Sequence, residues 1–107
     1  MDENYQIVFC TVPNAEVARK IARAIVGDKL AACCNIIPGL TSIYSWKNEI
    51  QEESELLLMI KTKTSVVPEL TEKIKKMHPY EVPEIIASEI YEGNREYLNW
   101  VNENVKR

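Results

Sequence analysis

Glycine is scarce in this chain, three residues in 107, and none of them sits in a phosphate-cradling loop. That excludes the nucleotide-binding motifs, which need glycines so that backbone N–H groups can reach the phosphates. Cysteine is just as sparse. Cys10, Cys33 and Cys34 cannot all pair within one chain, and neighbours 33 and 34 point to opposite faces of a strand, so reduced thiols are expected. No CxxC is present, which leaves no zinc ribbon and no thioredoxin-like redox pair. His78 is the single histidine, and nothing near it has the close spacing of a dedicated metal site. Long apolar runs are missing too. No stretch approaches the ~20 apolar residues of a membrane helix. The opening MDENYQIVFC has neither the basic nor the apolar region of a signal peptide, so a cytoplasmic protein with no membrane partner is expected. Positive charge is not in excess either. At a net charge of -3, phosphate backbones gain no attraction, and nucleic acid is not expected as a partner.

What remains is an ordinary globular composition, 46% hydrophobic and 27% charged, in a length that supports one core; residues 1–107 form one domain. Residues 5–11 (YQIVFCT) are β-branched and aromatic, the pattern of a buried strand. Asn14 then caps a helix whose apolar stripe is Ala18, Ile21, Ala22 and Ile25, and Gly27 stops it. Residues 31–45 are strand-like with a bulge or bend at Pro38-Gly39, and Lys47-Asn48 turns the chain into a second strand over 49–64. Thr64 or Ser65 caps a second helix with Pro68 in its first turn and Leu70, Ile74 and Met77 on its stripe. Pro79 ends that helix at Met77 or His78. Residues 84–91 make a last strand, and Gly93-Asn94 opens a third helix with Tyr97, Leu98, Val101 and Val105 on one face. The order βαββαβα predicts an α+β fold, a ferredoxin-like βαββαβ sandwich with an extra C-terminal helix.

The strand segment LLLMI at 56–60 is apolar on both alternating faces. A strand of this kind must be covered on both sides. Two helices cover one face, so the other is expected either to meet another subunit or to lie under the C-terminal helix.

The chemistry concentrates in MHPYEVPEI, residues 77–85. His78 can complement the negative end of a helix beside Lys75 and Lys76, or serve a site. Pro79 and Pro83 stiffen the backbone that carries Tyr80, Glu81 and Glu84. Glu55 and Lys61 share a strand face by period two, and they can form a salt bridge between subunits or line a cleft. Cys33 is a small core hydrophobe or a soft ligand for copper; an imidazole suits copper or zinc.

The segments AACCNIIPGLTSIYSWKNEI, ELLLMIKT, HPYEVPEI and EYLNW, in this order across essentially the whole chain, resemble the CutA family of divalent-cation-tolerance proteins. The resemblance implies a ferredoxin-like subunit in a tight homotrimer, with three sheets facing a common axis and long hairpins crossing onto neighbours. It also implies an architecture similar to the trimeric PII signalling proteins, a link to copper tolerance and metal binding in bacteria, and no established catalysis. Animal members are connected with the anchoring or processing of acetylcholinesterase. Two positions depart from the family pattern. Cys34 stands where valine is usual, and Asn48 where the hairpin tip usually has glycine. The expected ligand-binding residues are Trp46, Glu55, Lys61, His78, Tyr80, Glu81 and Glu84, and the expected metal ligands are Cys33 and His78. No cofactor is obligatory; copper or another divalent cation is the candidate ligand, and no enzyme activity is expected. The alternative is a trimeric scaffold or PII-like signalling protein that recruits another protein and has no metal function.

Overall fold

The computed structural model describes residues 4–107, so the acidic opening at positions 1–3 lies outside it. In chain order the elements are β1 (Tyr5–Val12), α1 (Ala15–Gly27), β2 (Cys33–Trp46), β3 (Glu49–Lys63), a 3-10 turn (Thr64–Val66), α2 (Val67–Met77), β4 (Ile85–Ile90) and α3 (Arg95–Asn104). The four strands form one antiparallel sheet in the order β2-β3-β1-β4. This is the expected ferredoxin-like sandwich with its added helix.

Alternation along the central strands decides what the two faces carry. Val8, Cys10 and Val12 of β1 and Leu58 and Ile60 of β3 point to one face, where Ala18, Ile21 and Ile25 of α1 and Leu70 and Ile74 of α2 bury them completely. Burying a side chain of this type contributes roughly 1.5–3 kcal/mol, so this layer dominates the stability. Thr62 is the one polar residue buried completely there, and its hydroxyl donates to the Leu30 carbonyl at 2.7 Å.

Two helix ends are closed differently from expectation. Asn14 caps α1 as predicted, its Oδ1 accepting from the Val17 N–H at 2.9 Å, and the helix ends at Gly27, but the glycine is not the residue that turns the chain. Lys29 takes the left-handed backbone (φ 59), and the N–H groups of Lys29 and Leu30 return to the carbonyls of Val26 and Ile25. That is a Schellman closure, stabilised by the buried Leu30 side chain rather than by a glycine. At α2 neither Thr64 nor Ser65 acts as a cap: the chain first makes a 3-10 turn, and no side chain caps the helix that follows. The Thr64 hydroxyl is taken by the Gln6 amide, which donates to it at 3.0 Å.

The second face of the sheet carries Ile7, Phe9, Leu57 and Met59, all only half-buried. α3 covers one end of it: Tyr5 and Lys63 are buried there, and Lys63 Nζ donates to Asn102 Oδ1 at 3.0 Å. The middle of the face stays open, continued by Ile86 on β4 at 56% exposure.

Candidate functional site

At the hairpin the register shifts. Ile37 faces Leu57 but Leu40 faces Glu55, so Pro38 and Gly39 together stand opposite Leu56. Two residues against one make a β-bulge, and Gly39 supplies the left-handed backbone at φ 89. The extra residue swaps the faces of β2. Before the bulge Cys33, Asn35 and Ile37 share the second face with Lys61, Met59 and Leu57; after it Ser42, Tyr44 and Trp46 do, beside Glu53, Gln51 and Glu49. Lys47 and Asn48, both left-handed, close the hairpin in a two-residue turn, the geometry that Asn48 was expected to tolerate.

His78 brings the loop after α2 against this surface. The residue is 7% exposed, and its Nε2–H donates to the Thr11 carbonyl at 2.8 Å while Nδ1 accepts the Tyr80 N–H at 3.2 Å. A carbonyl can only accept and an amide N–H can only donate, so the two partners require the neutral Nε2–H tautomer. The ring also lies 4.7 Å from the Tyr80 ring, centroid to centroid. Pinned in this way, Tyr80 reaches across to β3, and its hydroxyl donates to Glu55 Oε2 at 2.6 Å. Burial, then this bond to Glu55, pushes the Tyr80 phenol well above its ordinary range. Tyr44 is raised too, chiefly by hydrogen bonding to Glu53.

Between hairpin and loop lies an open groove of about 790 Å³. Trp46, Glu55, Tyr80, Glu81 and Glu84 line it, five of the seven residues expected to bind a ligand. Tyr44 and Glu53 belong to it as well and escaped the sequence reading. Glu53 was within reach, two residues from Glu55 on one strand; Tyr44 was not, because only the bulge turns it to this side. The groove walls hold four carboxylates and no lysine or arginine.

Three expected site residues fall elsewhere. Lys61 shares the face of Glu55 but stands six residues away, about 20 Å along the strand, and its ammonium donates to Asn35 Oδ1. Cys33 lies opposite Lys61, with its thiol 3.7 Å from the same Asn35 oxygen. His78 is near the groove, yet both ring nitrogens are committed to the fold. Because Thr11 stands opposite Leu57, Cys33 and His78 are separated by about four residues of strand, roughly 13 Å, and do not meet within one subunit. Among the described residues, no three His, Cys, Asp or Glu side chains come together as ligands for one ion. Cys10 and Cys34 are each pushed up to about 12, first by burial, and remain neutral thiols at physiological pH.

The family model for the CutA1 divalent ion tolerance protein matches residues 6–104. The chain belongs to the CutA1 family. Among CutA relatives, the divalent-cation tolerance protein CutA of Thermus thermophilus is 59% identical over 99 residues, which span 92% of this chain and 96% of that one. Protein CutA of Mus musculus is 56% identical over 95 residues, but the match spans only 54% of its length. Solved CutA1 structures superpose closely. The Thermus thermophilus structure gives a TM-score of 0.94 at 57% identity, covering 95% of this chain and 99% of that one. CutA1 from Oryza sativa gives 0.95 at 43% identity, covering 97% and 95%. CutA proteins are described from more than one compartment: the Arabidopsis thaliana protein is chloroplastic and the Archaeoglobus fulgidus structure is of a periplasmic protein. No helix among the described residues of this chain is long and apolar enough to cross a membrane.

Proposed function

We propose that this chain is the subunit of a cytoplasmic homotrimer that takes a divalent cation, copper included, or a small ligand into the groove beside the hairpin, and that it acts in divalent-cation tolerance by binding without turnover. The observation that carries this reading is the groove itself. Glu53, Glu55, Glu81 and Glu84 border it, against the Lys47 ammonium over Trp46 at the hairpin tip, so the field inside favours positive charge. The half-buried apolar face of Ile7, Phe9, Leu57 and Met59 supports assembly, because a subunit that closed this face would remove it from water.

The ligand set expected from soft-donor chemistry, Cys33 with His78, is not assembled within a subunit, so the reading rests on carboxylate oxygens. These still prefer copper among the first-row divalent ions. Their separation favours an ion that keeps part of its water shell. Titration calorimetry with copper(II), zinc(II) and manganese(II) on the wild type and on a Glu53→Gln, Glu84→Gln double variant tests it. Tighter binding by the wild type is expected; equal binding by both proteins removes the groove from the reading.

The structural commitment of His78 favours a second reading, a stable scaffold or PII-like signalling trimer that recruits another protein. It predicts no stabilisation by any divalent metal. Binding at a hundred times the dissociation constant raises stability by about 2.7 kcal/mol, which a thermal-shift panel detects.

A further inference from the structure

Several features of the groove are not used by a metal ion. Its volume of about 790 Å³ is that of a small-molecule site, typically about 300–1,000 Å³. Its carboxylates are strung out rather than converging. Glu53 and Glu55 share one face of β3, about 6.6 Å apart along the strand, the span of a three- to four-methylene spacer. Between and beside the carboxylates stand the rings of Tyr44, Trp46 and Tyr80, and Ile43 and Val82 add aliphatic surface.

Glu55 is the one buried carboxylate of the groove. Its side chain faces the groove at 5% exposure, it accepts one hydrogen bond from a neutral phenol, and no cation of the described residues lies within ion-pair distance. The Lys47 ammonium stands 5.8 Å from the Trp46 ring centroid, so a ligand ammonium over this ring takes the place of Lys47.

We propose that the groove binds a linear aliphatic polyamine. One ammonium group sits on Glu55 and the next on Glu53; the methylenes between them lie against the aromatic rings and the aliphatic wall, and a terminal ammonium lies over Trp46. An inorganic ion can use the carboxylates but not the rings or the spacing. This inference rests on the reading that the groove is the ligand site, and it changes the class of ligand from metal to organic cation.

Calorimetry on the full chain, at physiological salt, with spermidine, butylamine, diamines of two to six methylenes and a lysine-rich peptide decides it. Spermidine is expected to bind at least tenfold more tightly than butylamine, and the diamines to show an optimum at three or four methylenes. Glu53→Gln and Glu55→Gln each weaken spermidine about tenfold, in keeping with loss of a charged hydrogen bond. Glu55→Gln keeps an oxygen acceptor for Tyr80, and an unchanged melting temperature shows that its fold is intact. Trp46→Leu weakens spermidine about fivefold, a cation–π loss. Absence of spermidine binding at millimolar concentration overturns the proposal, as does a flat dependence on methylene number or binding of the peptide alone. Copper binding without amine binding ends this inference and leaves the metal reading standing. Amine binding without copper binding does the reverse, and absence of both removes the groove as a site.

Discussion

Where β3 pairs with β1, over Leu56–Lys63, one face carries Glu55 just before one end and Lys61 and Lys63 near the other, and the two ends handle charge in the same way but are closed differently. Glu55 receives a phenol hydroxyl, Lys61 the Asn35 amide oxygen and Lys63 the Asn102 amide oxygen. Among the described residues, none of the three is paired with an opposite charge. At the lysine end α3, from the chain itself, covers the surface and leaves little room. At the glutamate end the cover is the stiff 78–84 loop, which stops short of the hairpin and leaves a groove of one sign. Burial of a charge on a neutral dipole closes a structure where the surrounding volume is filled, and makes a receptor where it is not.

The largest test breaks both ends apart at the middle of the face. Met59→Asp places a carboxylate where the proposed trimer packs, three of them near one axis, at a cost of several kcal/mol for each unpaired buried charge. Light scattering is expected to show a trimer for the wild type and a monomer for the variant. A stable wild-type monomer at micromolar concentration refutes the assembly.

Next comes the pin of the open end. His78→Ala removes the imidazole donor to the Thr11 carbonyl and the acceptor of the Tyr80 N–H and opens a void, a loss of about 3 kcal/mol measurable by urea denaturation. Hydrogen exchange should speed up in residues 78–84 and stay slow at the Lys63–Asn102 end; uniform acceleration would show that the two ends are one cooperative unit.

Gly39→Ala tests the bulge that selects the groove wall. A Cβ there meets no atom within 4 Å, so the cost is the left-handed backbone alone, about 1–2 kcal/mol, again read from denaturation midpoints. An unchanged midpoint shows that the bulge can form without a glycine.

A smaller contrast is in pH. The raised Tyr80 phenol contributes stability that is complete below the unfolded pKa and is lost as pH rises toward the folded one, so the groove end weakens in alkali. Tyr80→Phe removes that slope and costs about 1 kcal/mol at neutral pH. On the α3 side, Glu69 is held low, chiefly by its hydrogen bond from Lys106 and further by Arg107. Its contribution is present above the ordinary carboxylate range and fades as pH falls through the lowered pKa. Stability curves of wild type, Tyr80→Phe and Glu69→Gln separate the alkaline limb from the acid one.

Element order, the buried stripes of α1 and α2 and the ferredoxin-like sheet were legible in the residues, since each depends on local periodicity and on prolines and caps within a turn or two. The Asn14 cap and the Lys47-Asn48 turn belong to the same class. Boundaries failed where the local geometry had more than one solution: a 3-10 turn over Thr64–Val66 puts Val66 at the start of α2, while the Thr64 hydroxyl accepts from Gln6 of β1. Strand alternation singles out Glu55, and the stiff HPYEVPEI loop singles out Tyr80, Glu81 and Glu84; neither points to Trp46, which lines the same groove.

Only the tertiary structure decided that Tyr44 faces the groove, that His78 closes on a carbonyl 67 positions away rather than on a thiol, that Lys61 turns to Asn35, and that α3 seals one end of the second face. Periodicity says which residues share a face of one strand. It does not say which residue stands opposite, because a single bulge reverses the parity of everything beyond it, and the partner of a polar side chain is set by the packing of elements far apart along the chain.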